Sequence, residues 1–353
     1  MQRLIFNSDP SGALSRVIAD IAPEGKIFLL ADTNTADCCL PLLQTVIDSY
    51  APEVIVIADG DANKNVSSLS EIWREMSRRG ATRRSLMINL GGGMISDIGG
   101  FAAATFKRGI RSVNVPTTLL AAVDAAVGGK TGINFDGLKN EIGVFAPAEY
   151  VIVSSEFYST LPADELLSGY GEVLKHALID SAGALAGALS VDPTSARPSE
   201  FAPVLEQSVR IKQSIVDRDP FEQGIRRALN LGHTAAHAFE SLAMERGVRL
   251  PHGIAVAHGL VVDLVLSRLL KDFPSDLLHG VAAFVKSHYP APVFDCNDYG
   301  SLISFMRHDK KNASPDNINF TLLNSPGDVE IDCIVEPRTI TAAFDLMRDL
   351  LGV

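Results

Sequence analysis

Short apolar runs alternate with amphipathic stretches over the first 155 residues. Five runs read as strands: Lys26–Ala31, Val54–Ala58, Ser85–Leu90, Ser112–Val115 and Tyr150–Val153. Each is apolar at most positions, as parallel strands buried on both faces are. The stretches between them suit helices, and this alternation predicts an open α/β sheet. After about Ser155 the period changes. Leu166–Leu178, Phe201–Val216, Arg226–Glu245, Ile254–Leu270 and Thr339–Leu350 carry helical periodicity. Val191–Ser199 reads as a loop, and only Asn319–Leu323 looks extended. The expected architecture is an α/β domain over residues 1–155 followed by an all-helical domain over 156–353.

A chain of 353 residues is long for one domain and comfortable for two. No apolar run approaches the roughly 20 residues of a membrane helix. The start, MQRLIFNSDPSG, is broken by Asp9 and Pro10 and does not read as a signal peptide. A soluble, cytoplasmic protein without a membrane partner is expected. The net charge of −11 argues against nucleic acid as a partner, because that surface must be basic. Cys38, Cys39, Cys296 and Cys333 form no Cys-x-x-Cys pair, and a bond between the adjacent two would be strained. They read as reduced thiols of a reducing compartment.

Four features carry chemistry. In Leu86–Gly100 (LMINLGGGMISDIGG) an apolar strand runs into Gly91, Gly92 and Gly93, with a helix starting near Met94–Asp97. Such a turn is either a plain strand-to-helix connection or a seat for a pyrophosphate, which the helix N-terminus favours. In Val113–Phe145, Thr117, Thr118, Asp124, Lys130, Asn134, Lys139 and Asn140 interrupt an otherwise apolar stretch, with Arg108 just upstream. These residue types suit phosphate and hydroxyl recognition. His233 and His237 lie four apart on one helix face, His252 follows, and Glu172 precedes them. One Glu and two His make a catalytic zinc set, and spacing leaves open which two of the three histidines belong to it. His176, His258, His279, His288 and His308 read as ordinary helix residues. Lys175, Lys212 and Arg226 are either solvated charges or cations for an anionic ligand, and Asp309-Lys310-Lys311-Asn312 is similar.

Taken together, GGGMISDIGGFAAATFKRG, VPTTLLAAVDAAVGGKTGIN, LKNEIGVF, TLPADELLSGYGEVLKHALI, RRALNLGHTAAHAF and HDKKN resemble the 3-dehydroquinate synthases, within the sugar-phosphate cyclase family. The resemblance runs from Asp32 to Lys310–Lys311. It implies a homodimer holding NAD and a divalent metal, zinc or cobalt, with a Rossmann-like NAD-binding first domain and a second domain that binds metal and substrate. It implies metal ligands Glu172, His233 and His252, which leaves His237 in the substrate pocket. Lys130, Lys139, Asn140, Lys175, Lys212, Arg226, Asn230 and His237 match substrate-contacting positions. Arg108 matches an arginine that reaches the phosphate in the neighbouring subunit, and one of Lys310 and Lys311 matches a further phosphate-side lysine. NAD contacts map to Asp32, Asp59, Lys64, Gly91, Gly92, Gly93, Asp97, Thr117, Thr118 and Asp124, with Lys130 and Lys139 beside them.

The implied reaction turns 3-deoxy-D-arabino-heptulosonate 7-phosphate into 3-dehydroquinate and phosphate, in the shikimate pathway of aromatic amino-acid biosynthesis. Transient oxidation by NAD, phosphate elimination, re-reduction and an aldol cyclisation follow one another. The chain departs from the family pattern at Ser96, at Asp136-Gly137-Leu138, at Ala235 and Ala236, and at Ile254, where a Glu commonly follows His-Gly. The rival readings are an inosose- or valiolone-forming cyclase, whose substrates lack the carboxylate, and a metal-dependent polyol dehydrogenase. A non-catalytic relative would not need Glu172, His233, His252 and Lys130 together.

Overall fold

The apolar runs of the first half form the strands expected of them. The computed structural model describes residues 2–308 and 317–353. Its first unit, Met1–Pro162, contains β1 (Arg3–Phe6), β2 (Ile27–Asp32), β3 (Glu53–Ile57), β4 (Leu86–Gly91), β5 (Arg111–Pro116), β6 (Lys130–Phe135), β7 (Leu138–Phe145) and β8 (Tyr150–Val153). Its helices are α1 (Pro10–Ile21), α2 (Thr33–Cys38), α3 (Gln44–Tyr50), α4 (Val66–Arg78) and α5 (Gly93–Thr105). Six strands form one sheet in the order β1-β8-β5-β4-β2-β3, and every neighbouring pair is parallel. From β2 the chain passes to β3 on one side, then returns to place β4 on the other. Ligands of open α/β sheets sit at the carboxyl ends of the strands beside such a switch point.

Burial explains the layers. β4 is buried at every position, as a central parallel strand must be. Leu69, Ile72 and Met76 of α4 recur at helical spacing and join Ile95 and Ile98 of α5 over Phe28, Leu30, Ile55 and Met87. Asn65 caps α4, its side chain accepting the Ser67 and Ser68 amides at 2.9 and 3.1 Å. β1 was not expected, because one exposed and three half-buried residues at a sheet edge carry little pattern. The antiparallel β6–β7 pair was also missed. Its turn is Asp136-Gly137, both with positive φ (50° and 79°), the two-residue signature of a tight hairpin.

The second unit, Ala163–Val353, contains α6 (Ala163–Asp180), α7 (Ala182–Leu189), α8 (Pro198–Arg218), α9 (His233–Glu245), α10 (His252–Lys271), α11 (Ser275–His288), α12 (Tyr299–Arg307) and α13 (Pro337–Leu351). One expectation is extended here and two are corrected. The extended segment at Asn319–Leu323 is part of β9 (Ile318–Ser325), which pairs antiparallel with an unexpected β10 (Asp328–Val335). β10 has charged residues on an outward face, so its alternation is easily mistaken for a surface loop. The single helix expected over Arg226–Glu245 is broken. A 3-10 segment, Ile225–Asn230, ends before Gly232, whose φ of 80° stops it, and α9 starts afresh at His233. Finally, α10 is long and apolar enough to cross a membrane by length and composition. His252, His258 and Asp263 hid it from a search for unbroken apolar runs. Most of its apolar stretch is buried within the structure, as in a core helix.

Close backbone contact organises this unit. A Cβ on Gly171 of α6 would lie 2.0 Å from the Gly253 carbonyl oxygen, and one on Gly253 would lie 1.5 Å from that of Ser168. A Cβ on Gly259 would lie 2.0 Å from the Gly232 carbonyl oxygen. Gly171→Ala should therefore destabilise the unit by about 1–3 kcal/mol through overpacking. Gly187→Ala, in α7 with nothing within 4 Å, should stabilise it by about 0.5–1 kcal/mol. Thermal unfolding of the two variants checks this: their midpoints should move in opposite directions, and a Gly171→Ala midpoint at or above wild type would contradict the packing argument.

Candidate active site

Glu172 lies one residue after Gly171, and His252 one residue before Gly253. The contact that requires both glycines therefore brings the two side chains together. His233 opens α9 just after Gly232, the residue packed on Gly259. Nε2 of His233 and Nε2 of His252 each approach Glu172 Oε1 to 3.4 Å. One donor atom from each of the three residues lies within 4.8 Å of the others. The remaining ring nitrogens are committed elsewhere. Nδ1 of His233 is 3.0 Å from the Leu231 carbonyl oxygen, and Nδ1 of His252 is 3.3 Å from Glu240 Oε1. Both partners can only accept, so each Nδ1 carries a proton and Nε2 is the ring atom turned toward Glu172.

Glu172 is fully buried; Lys175 pairs with Oε2, and Oε1 faces the two imidazoles. Burial opposes its charge, but Lys175, which pairs with Oε2, and His233 outweigh burial and hold the carboxyl well below its usual range. Burial likewise opposes a charge on His252, yet Glu172 and Glu240 push that ring up to about 10. A buried carboxylate whose Oε1 is faced by two oriented imidazole nitrogens fits a divalent cation. It is the donor set of a catalytic zinc site with a position left for substrate. His237 stands beside this group, its ring centroid 5.7 Å from that of His233 and 6.3 Å from that of His252.

Three cations are buried in the same unit: Lys175 on α6, Lys212 on α8 and Arg226 on the 3-10 segment that also carries Asn230. Asp219 fixes the loop before Arg226. Its carboxylate accepts the amides of Gln223, Gly224 and Arg226 at 2.9, 2.7 and 3.1 Å, and these bonds lower its pKa. Buried cations in an acidic chain suit an anionic ligand. The other histidines have structural partners. His176 Nδ1 is 2.8 Å from Ser208 Oγ, and His279, His288 and His308 each bond the carbonyl four residues earlier. Burial lowers His258 to about 4, against a bond to the Pro290 carbonyl. Lys310 and Lys311 lie outside the described residues.

In the first unit, Asp32, Asp59, Gly91–Gly93 and Thr117–Thr118 follow the carboxyl ends of β2, β3, β4 and β5, all on one edge of the sheet. Asp32 caps α2, accepting the Thr35 amide at 2.8 Å, and Thr35 Oγ1 lies 3.2 Å from the Leu90 carbonyl oxygen. Asp59 accepts from Thr33 and Asn34 at 2.7 and 2.9 Å, and the Thr33 bond leads in lowering its pKa. No side chain caps the N-terminus of α5, and a Cβ on Gly92 would press on Thr118 Cγ2 at 3.1 Å. This bare, glycine-cleared helix start fits a dinucleotide's pyrophosphate. Lys64 is buried, with Nζ 2.5 Å from Asp97 Oδ2 and bonded to Asn140 Oδ1. Lys139 reaches Asp61 at 3.6 Å, and Lys130 opens β6. Asp124 sits in a single π-helical turn, Ala121–Ala125, which no sequence signal announced. Arg108 stands apart, before β5 at the amino-terminal edge of the sheet. It rides on a hook of three left-handed residues, Lys107, Arg108 and Gly109.

Residues 54–168 match the family model described as 3-dehydroquinate synthase N-terminal, and residues 169–312 match 3-dehydroquinate synthase C-terminal. A 3-dehydroquinate synthase of Parabacteroides distasonis is 47% identical over 352 residues, covering 100% of this chain and 99% of the relative. The chain belongs to the 3-dehydroquinate synthase family. Among solved structures, 2-deoxy-scyllo-inosose synthase complexed with carbaglucose-6-phosphate, NAD+ and Co2+ superposes with a TM-score of 0.86 at 22% identity, covering 98% of this chain and 96% of that one. The 2-epi-5-epi-valiolone synthase of Streptomyces hygroscopicus, with NAD+ and Zn2+ bound, gives 0.82 at 24% identity, covering 99% and 97%. These likenesses show that the fold is that of the sugar-phosphate cyclases, an α/β part followed by a mostly helical one.

Sequence reading missed Glu240. It lies three residues beyond His237 on α9, and nothing in its spacing links it to His252. It supplies an outer carboxylate for His252, while Ile254, where the family commonly has Glu, is buried among apolar residues. Glu240→Ala should weaken Co2+ binding by about 10- to 100-fold. His237→Ala should leave Co2+ binding intact while slowing turnover. Titration of both metal-free variants checks this, and the reverse ranking would contradict the donor assignment.

Proposed function

We infer that the chain converts 3-deoxy-D-arabino-heptulosonate 7-phosphate to 3-dehydroquinate and phosphate, the shikimate-pathway reaction of its family. The observation that carries this is 47% identity to a 3-dehydroquinate synthase along the whole chain. The inosose and valiolone synthases share the fold at only 22% and 24% identity. The convergence of Glu172, His233 and His252, and the buried Lys175, Lys212 and Arg226, support the same reading. A simple polyol dehydrogenase has no need of so many buried cations.

The division of labour follows from the two units. We assign NAD to the carboxyl edge of the first unit's sheet, with Asp32, Asp59, Lys64, Gly91, Gly92, Gly93, Asp97, Thr117, Thr118, Asp124, Lys130 and Lys139. A zinc or cobalt ion is assigned to Glu172, His233 and His252. When bound, NAD supplies a reversible hydride acceptor and the cation a Lewis acid for the substrate hydroxyls. Lys175, Lys212 and Arg226 bind and orient the substrate's phosphate and carboxylate, and Asn230, Asn140 and Lys130 add polar contacts. His237 is assigned to proton transfer at the C5 hydroxyl. The placement of Arg108 on the opposite edge of the sheet supports its role toward a second copy, and with it a homodimer. A cytoplasmic location accords with a biosynthetic enzyme.

The test is phosphate release from 3-deoxy-D-arabino-heptulosonate 7-phosphate with NAD and Zn2+ or Co2+, with and without chelator. We expect chelator-sensitive release, dehydroquinate as product and no net NADH. Turnover of glucose 6-phosphate, sedoheptulose 7-phosphate or a simple polyol in its place would transfer the chain to one of the rival activities.

A further inference from the structure

We propose that Asp263 is a positioning residue for His233, acting through the peptide group between Leu231 and Gly232. Asp263 lies on α10, fully buried, among the buried apolar residues Leu260, Val262, Leu264 and Leu266. A buried carboxylate is costly where packing alone is needed, and any apolar side chain would serve that purpose. Its Oδ2 accepts the Gly232 N–H at 2.6 Å. The carbonyl of that same peptide group, Leu231 O, receives Nδ1–H of His233 at 3.0 Å. One peptide plane therefore connects the carboxylate on one side to the imidazole on the other.

The arrangement fixes two properties of His233. The carboxylate holds the N–H, so the carbonyl must point the opposite way, toward the ring. Turning the peptide over would break both bonds and aim the carbonyl at Asp263. A charged acceptor also polarises the peptide, which makes its carbonyl a stronger acceptor for Nδ1–H. The proton stays on Nδ1, and Nε2 faces Glu172. The left-handed φ of 80° at Gly232 and its contact with Gly259 hold the turn against α10, one helical turn before Asp263. Glu240 does for His252 directly what Asp263 does for His233 through a peptide.

The inference rests on the metal set proposed above, and the experiment separates the two. Metal-free full-length protein is titrated with Co2+ against a competing chelator, for wild type, Asp263→Ala, Asp263→Asn, Glu172→Gln and His233→Ala. Glu172→Gln and His233→Ala should lose Co2+ binding; if they bind as wild type does, the metal assignment falls. Asp263→Ala should bind about 10- to 100-fold more weakly with an altered Co2+ visible spectrum. Asp263→Asn, whose amide oxygen can still accept from Gly232, should recover most of the affinity. A folded Asp263→Ala with wild-type affinity and spectrum overturns the positioning role alone. Imidazole 15N NMR of the metal-free protein decides the matter even if Asp263→Ala does not fold. His233 should carry its proton on Nδ1, and Asp263→Asn should shift that resonance while leaving His252 unmoved. An Nδ1 without a proton in wild type, or an unshifted His233, overturns the proposal.

Discussion

The candidate site depends on how closely α6, α9 and α10 approach. Gly171 and Gly253 let α6 meet the start of α10 backbone to backbone, and the Gly253 amide is held by Ser168 Oγ at 3.1 Å. Gly232 and Gly259 do the same for α9 and α10. Each contact has a donor residue beside it: Glu172 next to Gly171, His252 next to Gly253, His233 next to Gly232. Side chains any larger at the glycines would separate the helices, and the three donors with them. Metal-site geometry of this kind is set by the supporting packing as much as by the donors themselves.

Electrostatics then acts on what packing has assembled. Glu172 would be costly as a lone buried charge, and Lys175 with the two imidazoles keeps it ionised. Each histidine has Nδ1 bound and Nε2 turned inward, so the ligand atoms are chosen before any ion arrives. In the first unit the proposed cofactor side is built differently. It uses the carboxyl edge of a parallel sheet at its switch point, a helix start without a cap, and a buried Lys64–Asp97 pair that ties the loop after β3 to α5.

Much of this was readable from residues. The central strands announced themselves because strands buried on both faces are simply apolar, and the Gly91–Gly93 turn fell where a strand gives way to a helix. Spacing found His233, His237 and His252 but could not choose among them. That choice rests on Leu231, Glu240 and the glycine contacts, which are tertiary facts. The family pattern pointed to the trio whose donor atoms converge here. Other features were hidden for separate reasons. Asp136-Gly137 was legible as a hairpin turn but was taken as a substitution within a motif. Gly232 was absorbed into a helical period running through it. Asp263 carries no signal of its own in the sequence, and only the direction of one peptide group gives it meaning.

The most direct test of the account is anomalous diffraction at the cobalt edge from crystals of the full chain grown with Co2+. The account requires one strong peak per chain, about 2.1 Å from Nε2 of His233 and Nε2 of His252 and bound by Glu172, with His237 outside the coordination shell. A peak coordinated by His237 in place of either histidine, or no peak beside Glu172 at saturating Co2+, would contradict it.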